Sequence, residues 1–352
     1  MSSAHRLLPI LLTIYLIALN NYLFDREGAT ANMGWFHAST HALSAHRLRS
    51  AGAIALLLPL LIACGAQQSG AATAAPAPVA HTINVVTTMS ILADMVRNVG
   101  GARVTAENII PIGAGPEDYQ PTPQDAQKLA GAAIVFYNGH GLEAWLGDLL
   151  ASAARPSQPQ IAVSDQLAAL DVGNADFKQG NPHFWMSAAL GAKYVEQIRD
   201  GLIQVDAAGK ATYTKNADSY IKQLLELNAA LKQQAATIAP ADRKMLTNHD
   251  AFPYFAREYG FTIVGNILGS SESEPSAGEL ATLIGAIKAQ HVKAIFSESQ
   301  FSPKLTNTIA DEAGVTIVAN LYTDTLGDAA SGVTTYVDML RYNMQKVVKA
   351  LK

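Results

Sequence analysis

The sequence predicts an α/β protein of two lobes, each with a small parallel sheet and flanking helices, bridged by one long rigid helix. From His81 onward, short apolar segments alternate with helical patterns, which is typical of βαβ units. Between the two halves, residues 211–238 contain no Gly or Pro and repeat apolar side chains at spacings of three and four. That spacing predicts a single amphipathic helix that is too stiff to act as a hinge. Two lobes joined in this way suggest a ligand in the cleft between them.

Residues 1–63 are predicted to be a signal region. Their second apolar run, residues 51–64, follows two arginines and has the length of a signal-peptide hydrophobic segment. The run ends in LIAC, which resembles the bacterial lipobox, and Cys64 is the only cysteine of the chain. A lone cysteine cannot close a disulfide within the chain, whereas lipidation of a mature N-terminal cysteine accounts for its position. The alternative is a chance cysteine at the end of an anchor helix.

The remaining boundaries follow from composition and pattern. Residues 1–32 are interpreted as an upstream extension, with Met33 as the true start. Residues 64–80 are mostly small side chains that form no core, which predicts a flexible, lipid-anchored tether. The folded part divides into an N-terminal lobe (81–207), a linking helix (208–239) and a C-terminal lobe (240–352). Beyond residue 65 no apolar run is long enough to span a membrane.

The predicted strands are short apolar segments of the sequence. In the first half they are INVVTT, ENIIPI, AIVFYN and QIAVS, and in the second half KMLTN, FTIVGNI, AIFSE and TIVANLY. The chain is 49% hydrophobic and 15% charged, with a net charge of −4 and no basic run. This balance argues against a nucleic-acid partner.

Candidate ligand-binding residues follow the predicted strands, because open parallel sheets bind ligands beyond the carboxyl ends of their strands. Glu117 follows ENIIPI, His249 follows KMLTN and Asp324 follows TIVAN. His183, in NPHFWMS, lies in a turn that opens a helix. Two imidazoles and two carboxylates form a plausible closed donor set for a divalent metal. Each residue also has a structural alternative: a hydrogen-bonded core histidine, a helix cap or turn at Asp324, or a solvated loop charge at Glu117.

Several segments resemble one known family, the cluster A-I solute-binding lipoproteins of bacterial ABC importers for zinc and manganese. The resemblance rests on PIGAGPEDYQPTPQD, FYNGHGLEAWL, NPHFWMS, ATYTKNADSYIKQL, NHDAFPYFAREYG, EPSAGELATLIGAIKAQHVKAIFSESQFSPKL and LYTDTLG. It implies two lobes that hold one metal ion between them, with ligands at Glu117, His183, His249 and Asp324. It also implies an ABC permease and its ATPase as partners. The expected location is the outer face of the cytoplasmic membrane or the periplasm, and the expected state is a monomer.

The first ligand motif departs from the family pattern. Where the family has Asp-Pro-His, this chain has Gly115-Pro116-Glu117, so Glu117 is interpreted as a substituted ligand. Asp118 and His140 remain alternatives for that position. Asn181 stands where the family often has Asp before the Pro-His pair, and a neutral amide supports an imidazole more weakly than a carboxylate does.

The donor set leaves more than one metal open. His249 resembles the zinc members, whereas manganese members usually have Glu at this position. Two carboxylates favour Mn²⁺ or Fe²⁺ more than a three-histidine site would, but zinc outcompetes manganese at most nitrogen and oxygen sites. Zinc is therefore the expected cargo, with manganese or iron(II) as the alternative.

An enzyme is the main rival interpretation. A mononuclear metal hydrolase keeps a coordination position for water, and Glu298 in FSESQF is a nominal general base for it, although a salt-bridged or hinge role also fits this residue. Four candidate ligands close the site, and HExxH, GxSxG and P-loop patterns do not occur in the sequence. We therefore predict no catalytic residue. An additional adhesin role stays open.

Overall fold

The computed structural model describes residues 82–171, 178–268 and 275–352. The predicted signal region, the tether and the lipidation site at Cys64 lie outside the described residues. Among the described residues, no helix combines the length and the hydrophobicity that a membrane span requires.

The first sheet is fully parallel and has the strand order β2-β1-β3-β4. Its strands are β1 (Ile83–Thr87), β2 (Val104–Asn108), β3 (Ile134–Tyr137) and β4 (Gln160–Ala162). The helices of this half are α1 (Ser90–Gly100), α2 (Pro123–Gly131), α3 (Leu146–Ala153) and α4 (Ala188–Val205). The central strands β1 and β3 are almost completely buried because helices cover both faces, which explains their continuous apolar runs.

The second sheet repeats this arrangement with the order β6-β5-β7-β8, again fully parallel. Its strands are β5 (Lys244–Thr247), β6 (Thr262–Asn266), β7 (Ala294–Glu298) and β8 (Thr316–Leu321). The helices that follow are α6 (Pro253–Tyr259), α7 (Ala277–Ala289), α8 (Pro303–Ala313) and α9 (Tyr336–Leu351), counting the linking helix described next as α5. Two parallel sheets with flanking helices confirm the predicted fold class.

The linking helix α5 spans Lys210–Ala236. Its buried side chains fall on one stripe, as the periodicity predicts: Tyr213, Ala217, Tyr220, Leu224, Leu227 and Leu231. The stripe packs against α1 and α4 of the first half and against α6 and α9 of the second. One hydrophobic core therefore contains side chains of both halves. The exact lobe boundaries, at 207 and 239, remain predictions.

One predicted strand is displaced from the observed one. The segment ENIIPI begins at Glu107, but β2 starts at Val104 and ends at Asn108. The strand lies at the edge of the sheet, where its side chains alternate between buried and exposed positions and the apolar signal is weak. Ile109 and Ile110 are buried in the bend that follows, and Pro111 has no N–H to extend the pairing.

A buried carboxylate joins three helices where α9 returns to the first half. Asp94 of α1 accepts a hydrogen bond from the Tyr336 backbone N–H of α9 at 3.0 Å. It also accepts one from the Tyr220 hydroxyl of α5 at 3.4 Å. Burial raises the pKa of Asp94, and these hydrogen bonds act in the opposite direction.

Candidate metal centre

The structure brings the four predicted side chains together between the two sheets. One donor atom from each of Glu117, His183, His249 and Asp324 lies within 4.8 Å of the others. His183 Nε2 is 3.5 Å from Glu117 Oε1 and 3.5 Å from Asp324 Oδ1. His249 Nε2 is 3.1 Å from Asp324 Oδ2. All but Glu117 are buried, so the group forms an enclosed set of nitrogen and oxygen donors.

Loops at the carboxyl ends of strands carry Glu117, His249 and Asp324, as expected for parallel sheets, whereas His183 lies in the turn before α4. Glu117 lies in the loop between β2 and α2, and Trp145 fixes that loop by donating to the Pro116 carbonyl at 2.7 Å. Asp324 follows β8, and Trp185 donates to the Thr323 carbonyl beside it at 2.7 Å. The two indole N–H groups thus anchor the loops that carry Glu117 and Asp324.

A direct hydrogen bond also joins the loops of Glu117 and Asp324. The Gly113 N–H donates to Thr325 Oγ1 at 3.1 Å, and the Leu326 N–H donates to Ser90 Oγ at 2.9 Å. The loop of Asp324, from the second half, is thereby attached to the first half at two points. The position of Asp324 relative to Glu117 thus depends on hydrogen bonds between the two halves.

Asn181 supports His183 from the side away from the site. Its Oδ1 accepts the His183 backbone N–H at 3.0 Å and lies 3.2 Å from His183 Nδ1. Its amide nitrogen donates to the Asp250 carbonyl at 2.7 Å. Because Nδ1 faces the amide oxygen, Nε2 is the nitrogen that faces the other donors.

His249 lies between two carboxylates. Its Nδ1 is 2.6 Å from Glu298 Oε2, and Glu298 Oε1 accepts the backbone N–H groups of Asn248 and His249 at 3.1 and 3.2 Å. Burial alone lowers the pKa of the imidazole, but the charges of Glu298 and Asp324 outweigh burial and hold this pKa well above its ordinary value. Glu298 is thus a salt-bridged positioning residue of His249, one of the two roles that the sequence left open.

Two carboxylate oxygens of the site accept no hydrogen bond from a described residue. Burial raises the pKa of Asp324, yet His249, His183 and the Thr323 hydroxyl together outweigh this effect and keep the pKa below its ordinary value, so the group is ionised at neutral pH. Glu117 Oε1 and Asp324 Oδ1 are buried and accept no hydrogen bond from any residue in the described part of the chain. Buried acceptors of this kind are rare in proteins, and a bound cation satisfies them.

The two alternatives to Glu117 lie elsewhere. Asp118 is exposed at the mouth of the cleft, and its pKa is raised by partial burial and by the charge of Glu117. The ring nitrogens of His140 lie 3.2 Å from the carbonyl oxygens of Gln179 and Ser164, and the ring packs on Phe184. Neither residue belongs to the group of four.

A cleft of about 300 Å³ leads from solvent to Glu117 and Asp324. Asp118, Gln300 and Phe301 are among the residues that line it. Sequence reasoning did not identify Gln300, which donates to Asp324 Oδ2 at 2.7 Å, or Thr323, whose Oγ1 lies 3.2 Å from the same oxygen. Their only sequence signal is proximity to Glu298 and Asp324.

Comparison with known proteins establishes the family. The family model described as zinc-uptake complex component A, periplasmic, matches residues 85–350. The chain belongs to this family. The predicted resemblance to metal-binding lipoproteins of ABC importers is thereby confirmed.

Relatives of this zinc-uptake component A family differ in the metal that their names give. The manganese-binding lipoprotein MntA of Halalkalibacterium halodurans is 32% identical over 299 residues, which cover 85% of this chain and 97% of that protein. The iron ABC transporter substrate-binding lipoprotein MtsA of Streptococcus pyogenes is 30% identical over 298 residues, covering 83% and 94%. These names describe substrate-binding proteins.

Solved structures share the fold. The periplasmic zinc binding protein TroA from Treponema pallidum superposes with a TM-score of 0.71 at 30% identity, covering 77% of this chain and 99% of that one. A manganese-bound periplasmic metal binding protein from Candidatus Liberibacter asiaticus gives a TM-score of 0.70 at 27% identity, covering 77% and 100%. Family membership therefore identifies the class of cargo and leaves the individual metal open.

Proposed function

We propose that this protein is an extracytoplasmic substrate-binding lipoprotein that captures one divalent transition metal ion and delivers it to an ABC importer. The observation that carries the proposal is the convergence of four donor atoms within 4.8 Å between the two sheets. The two buried carboxylate oxygens without a hydrogen-bond donor among the described residues support it. Relatives named for manganese and iron uptake add independent support.

We assign the ligands as Glu117, His183, His249 and Asp324, each through the atom nearest the others. Metal ligands must be deprotonated, so two carboxylates and two imidazoles that bind together bring a charge that neutralises a divalent ion. Nitrogen and oxygen donors at this ratio suit zinc in four-coordination. The order of intrinsic affinities also favours zinc over manganese and iron(II) at such a site. Zinc is therefore the proposed cargo, and Mn²⁺ and Fe²⁺ are the alternatives that the two hard carboxylates support.

The arrangement argues for transport rather than catalysis. A catalytic zinc site keeps one position open for water, whereas the assigned donors fill a tetrahedral shell. Glu298, the nominal general base, already accepts two backbone N–H groups and contacts His249. We propose that the metal leaves as cargo to a membrane permease and its ATPase, while a lipid on Cys64 holds this protein, as a monomer, at the outer face of the membrane or in the periplasm.

Metal titration of the mature chain tests the proposed function. Calorimetry with Zn²⁺ on protein stripped of metal should give one site per chain. His183→Ala and His249→Ala should each weaken binding by at least about 10–100-fold, the loss typical even of residues that only support a ligand. His291→Asn is the control, because His291 is exposed, lies outside the group of four, and has a positive φ of 53° that Asn tolerates. Equal affinities in all variants would contradict the assignment.

A further inference from the structure

The two oxygens of Asp324 have different surroundings. Oδ2 accepts a hydrogen bond from Gln300 Nε2 at 2.7 Å and has Thr323 Oγ1 at 3.2 Å. Oδ1 is buried, lies 3.5 Å from His183 Nε2, and accepts no hydrogen bond from any described residue. One oxygen is therefore occupied by the protein, and the other is available to a metal ion.

Counting donors and acceptors assigns each hydrogen in this cluster. The Gln300 amide has two hydrogens and three acceptors in range, Asp324 Oδ2 at 2.7 Å, Thr323 Oγ1 at 2.8 Å and Glu298 Oε2 at 3.4 Å. The two short contacts use both hydrogens. Thr323 has one hydrogen, and its shorter contact is the one to Glu298 Oε2 at 2.8 Å. A series of hydrogen bonds therefore runs from Gln300 to Thr323 and from Thr323 to Glu298. Glu298 is the carboxylate that contacts His249 Nδ1.

The orientation of the amide follows from the same contacts. Rotating it by half a turn would place its oxygen against the ionised carboxylate of Asp324, and two acceptors at that distance repel each other. The Gln300 nitrogen therefore faces Asp324. Gln300 also lines the cleft that leads to Glu117 and Asp324.

We propose that Gln300 is a specificity-determining residue of the metal site, because it holds Asp324 as a one-oxygen ligand through Oδ1. Zinc is satisfied by four donors. Manganese and iron(II) favour hard oxygen donors, and two-oxygen binding by a carboxylate supplies the higher coordination number that they accept more readily. A residue that occupies Oδ2 thus shifts the balance toward zinc. This inference rests on the proposed function. It makes the Gln300 side chain a determinant of which metal ion the protein binds.

Two variants remove the hydrogen bond while keeping most of the side-chain volume, Gln300→Leu and Gln300→Met. The control is Gln120→Leu, because Gln120 lines the same cleft but donates only to the Asp118 backbone carbonyl, at 3.3 Å. The affinities for Zn²⁺ and Mn²⁺ are measured for each protein by competition with a chelator. The visible absorption of bound Co²⁺ reports coordination number, since four-coordinate Co²⁺ absorbs far more strongly than five- or six-coordinate Co²⁺.

Both Gln300 variants should lower the preference for Zn²⁺ over Mn²⁺ by about 10-fold, the lower end of the effects of residues that orient metal ligands. The Co²⁺ band should weaken in the same two variants and stay unchanged in Gln120→Leu. Equal losses for both metals with an unchanged Co²⁺ band, or no change at all, would overturn the inference. Failure of the unmodified protein to bind one metal per chain would instead contradict the proposed function, so the two failures are distinguishable.

Discussion

His249 is the residue whose surroundings constrain the site most. It has a carboxylate on each side, Glu298 Oε2 at 2.6 Å from Nδ1 and Asp324 Oδ2 at 3.1 Å from Nε2. The second contact brings the ring nitrogen that we assign to the metal close to Oδ2, the Asp324 oxygen that Gln300 also contacts. The negative charges of these two carboxylates favour the protonated form of the imidazole.

This arrangement predicts proton release on metal binding. The pKa of His249 is raised well above its ordinary value, so the metal-free imidazole is protonated below that raised pKa and must lose its proton to bind. Zn²⁺ binding at neutral pH should therefore release protons, and affinity should rise with pH until His249 is fully deprotonated. Calorimetry in buffers of different ionisation enthalpy measures the release. Binding at pH 7 without proton release would contradict the prediction.

Glu117 is the most specific claim at the residue scale, since it replaces the histidine of the family motif. Glu117→Ala should weaken Zn²⁺ binding about as strongly as loss of either histidine, because it removes a donor and one negative charge. Asp118→Ala is the matched control and should have a mild effect, since Asp118 is exposed. Glu117→His supplies a donor again, so it should bind Zn²⁺ more tightly than Glu117→Ala does. It should also prefer zinc over manganese more strongly than the unmodified protein, because a hard oxygen donor is lost. A damaging Asp118→Ala with a neutral Glu117→Ala would reverse the assignment.

The site was predictable from sequence only in part. Glu117, His249 and Asp324 follow strands, and the family motifs mark them together with His183. The contacts that orient them come from Gln300, Thr323 and other residues with no distinctive spacing. Side-chain hydrogen bonds of this kind depend on the packing of two loops, which local sequence does not encode.

Among the helices and strands, the linking helix α5 shows most clearly how the sequence pattern predicts packing. Its apolar spacing predicts the buried stripe, and the helix is observed at Lys210–Ala236. The strand β2 shows the opposite case. The apolar residues that predicted it, Ile109 and Ile110, are buried but lie beyond the strand, so the apolar run indicates burial and not hydrogen-bonded pairing. Periodicity over a long element is therefore a stronger signal than hydrophobicity over a short edge strand.

Two adjacent leucines of α5 test this relation. Leu224 is completely buried, whereas Leu225 is 50% exposed. Leu224→Ala should lower the free energy of unfolding by about 2–5 kcal/mol, because it leaves a cavity in the core shared by both halves. Leu225→Ala should change it by no more than about 0.5 kcal/mol. Urea unfolding of the metal-free protein measures both, and similar losses in the two variants would argue against a one-sided helix.

For the whole molecule, one core and several cross-cleft hydrogen bonds connect the two halves. The core contains side chains from both sheets and from α5 and α9. Asp94 joins α1, α5 and α9, and Thr325 joins the loops of the two halves. The Thr325 contact lies next to Asp324, one residue of the proposed metal site. Metal binding is therefore expected to change the relative position of the two halves. A membrane permease would recognise that change.

Attachment to the membrane is the remaining claim at this scale. Cys64 directly follows the predicted signal region, and the proposal is that a lipid on this residue retains the protein at the membrane. Mass spectrometry of the membrane fraction should show a mature N-terminus at Cys64 that carries acyl chains. Cys64→Ser should release the protein into the soluble fraction without changing its metal affinity. Membrane retention of Cys64→Ser would contradict the lipid anchor.

Anomalous X-ray diffraction from crystals of the mature protein grown with Zn²⁺ tests the central claim most directly. Data collected on both sides of the zinc absorption edge locate the ion without reference to any assumed ligand. The account predicts one peak between the two halves, about 2.0–2.2 Å from the donor atoms of Glu117, His183, His249 and Asp324. A zinc peak outside this group of four, or crystals with no bound zinc, would contradict it.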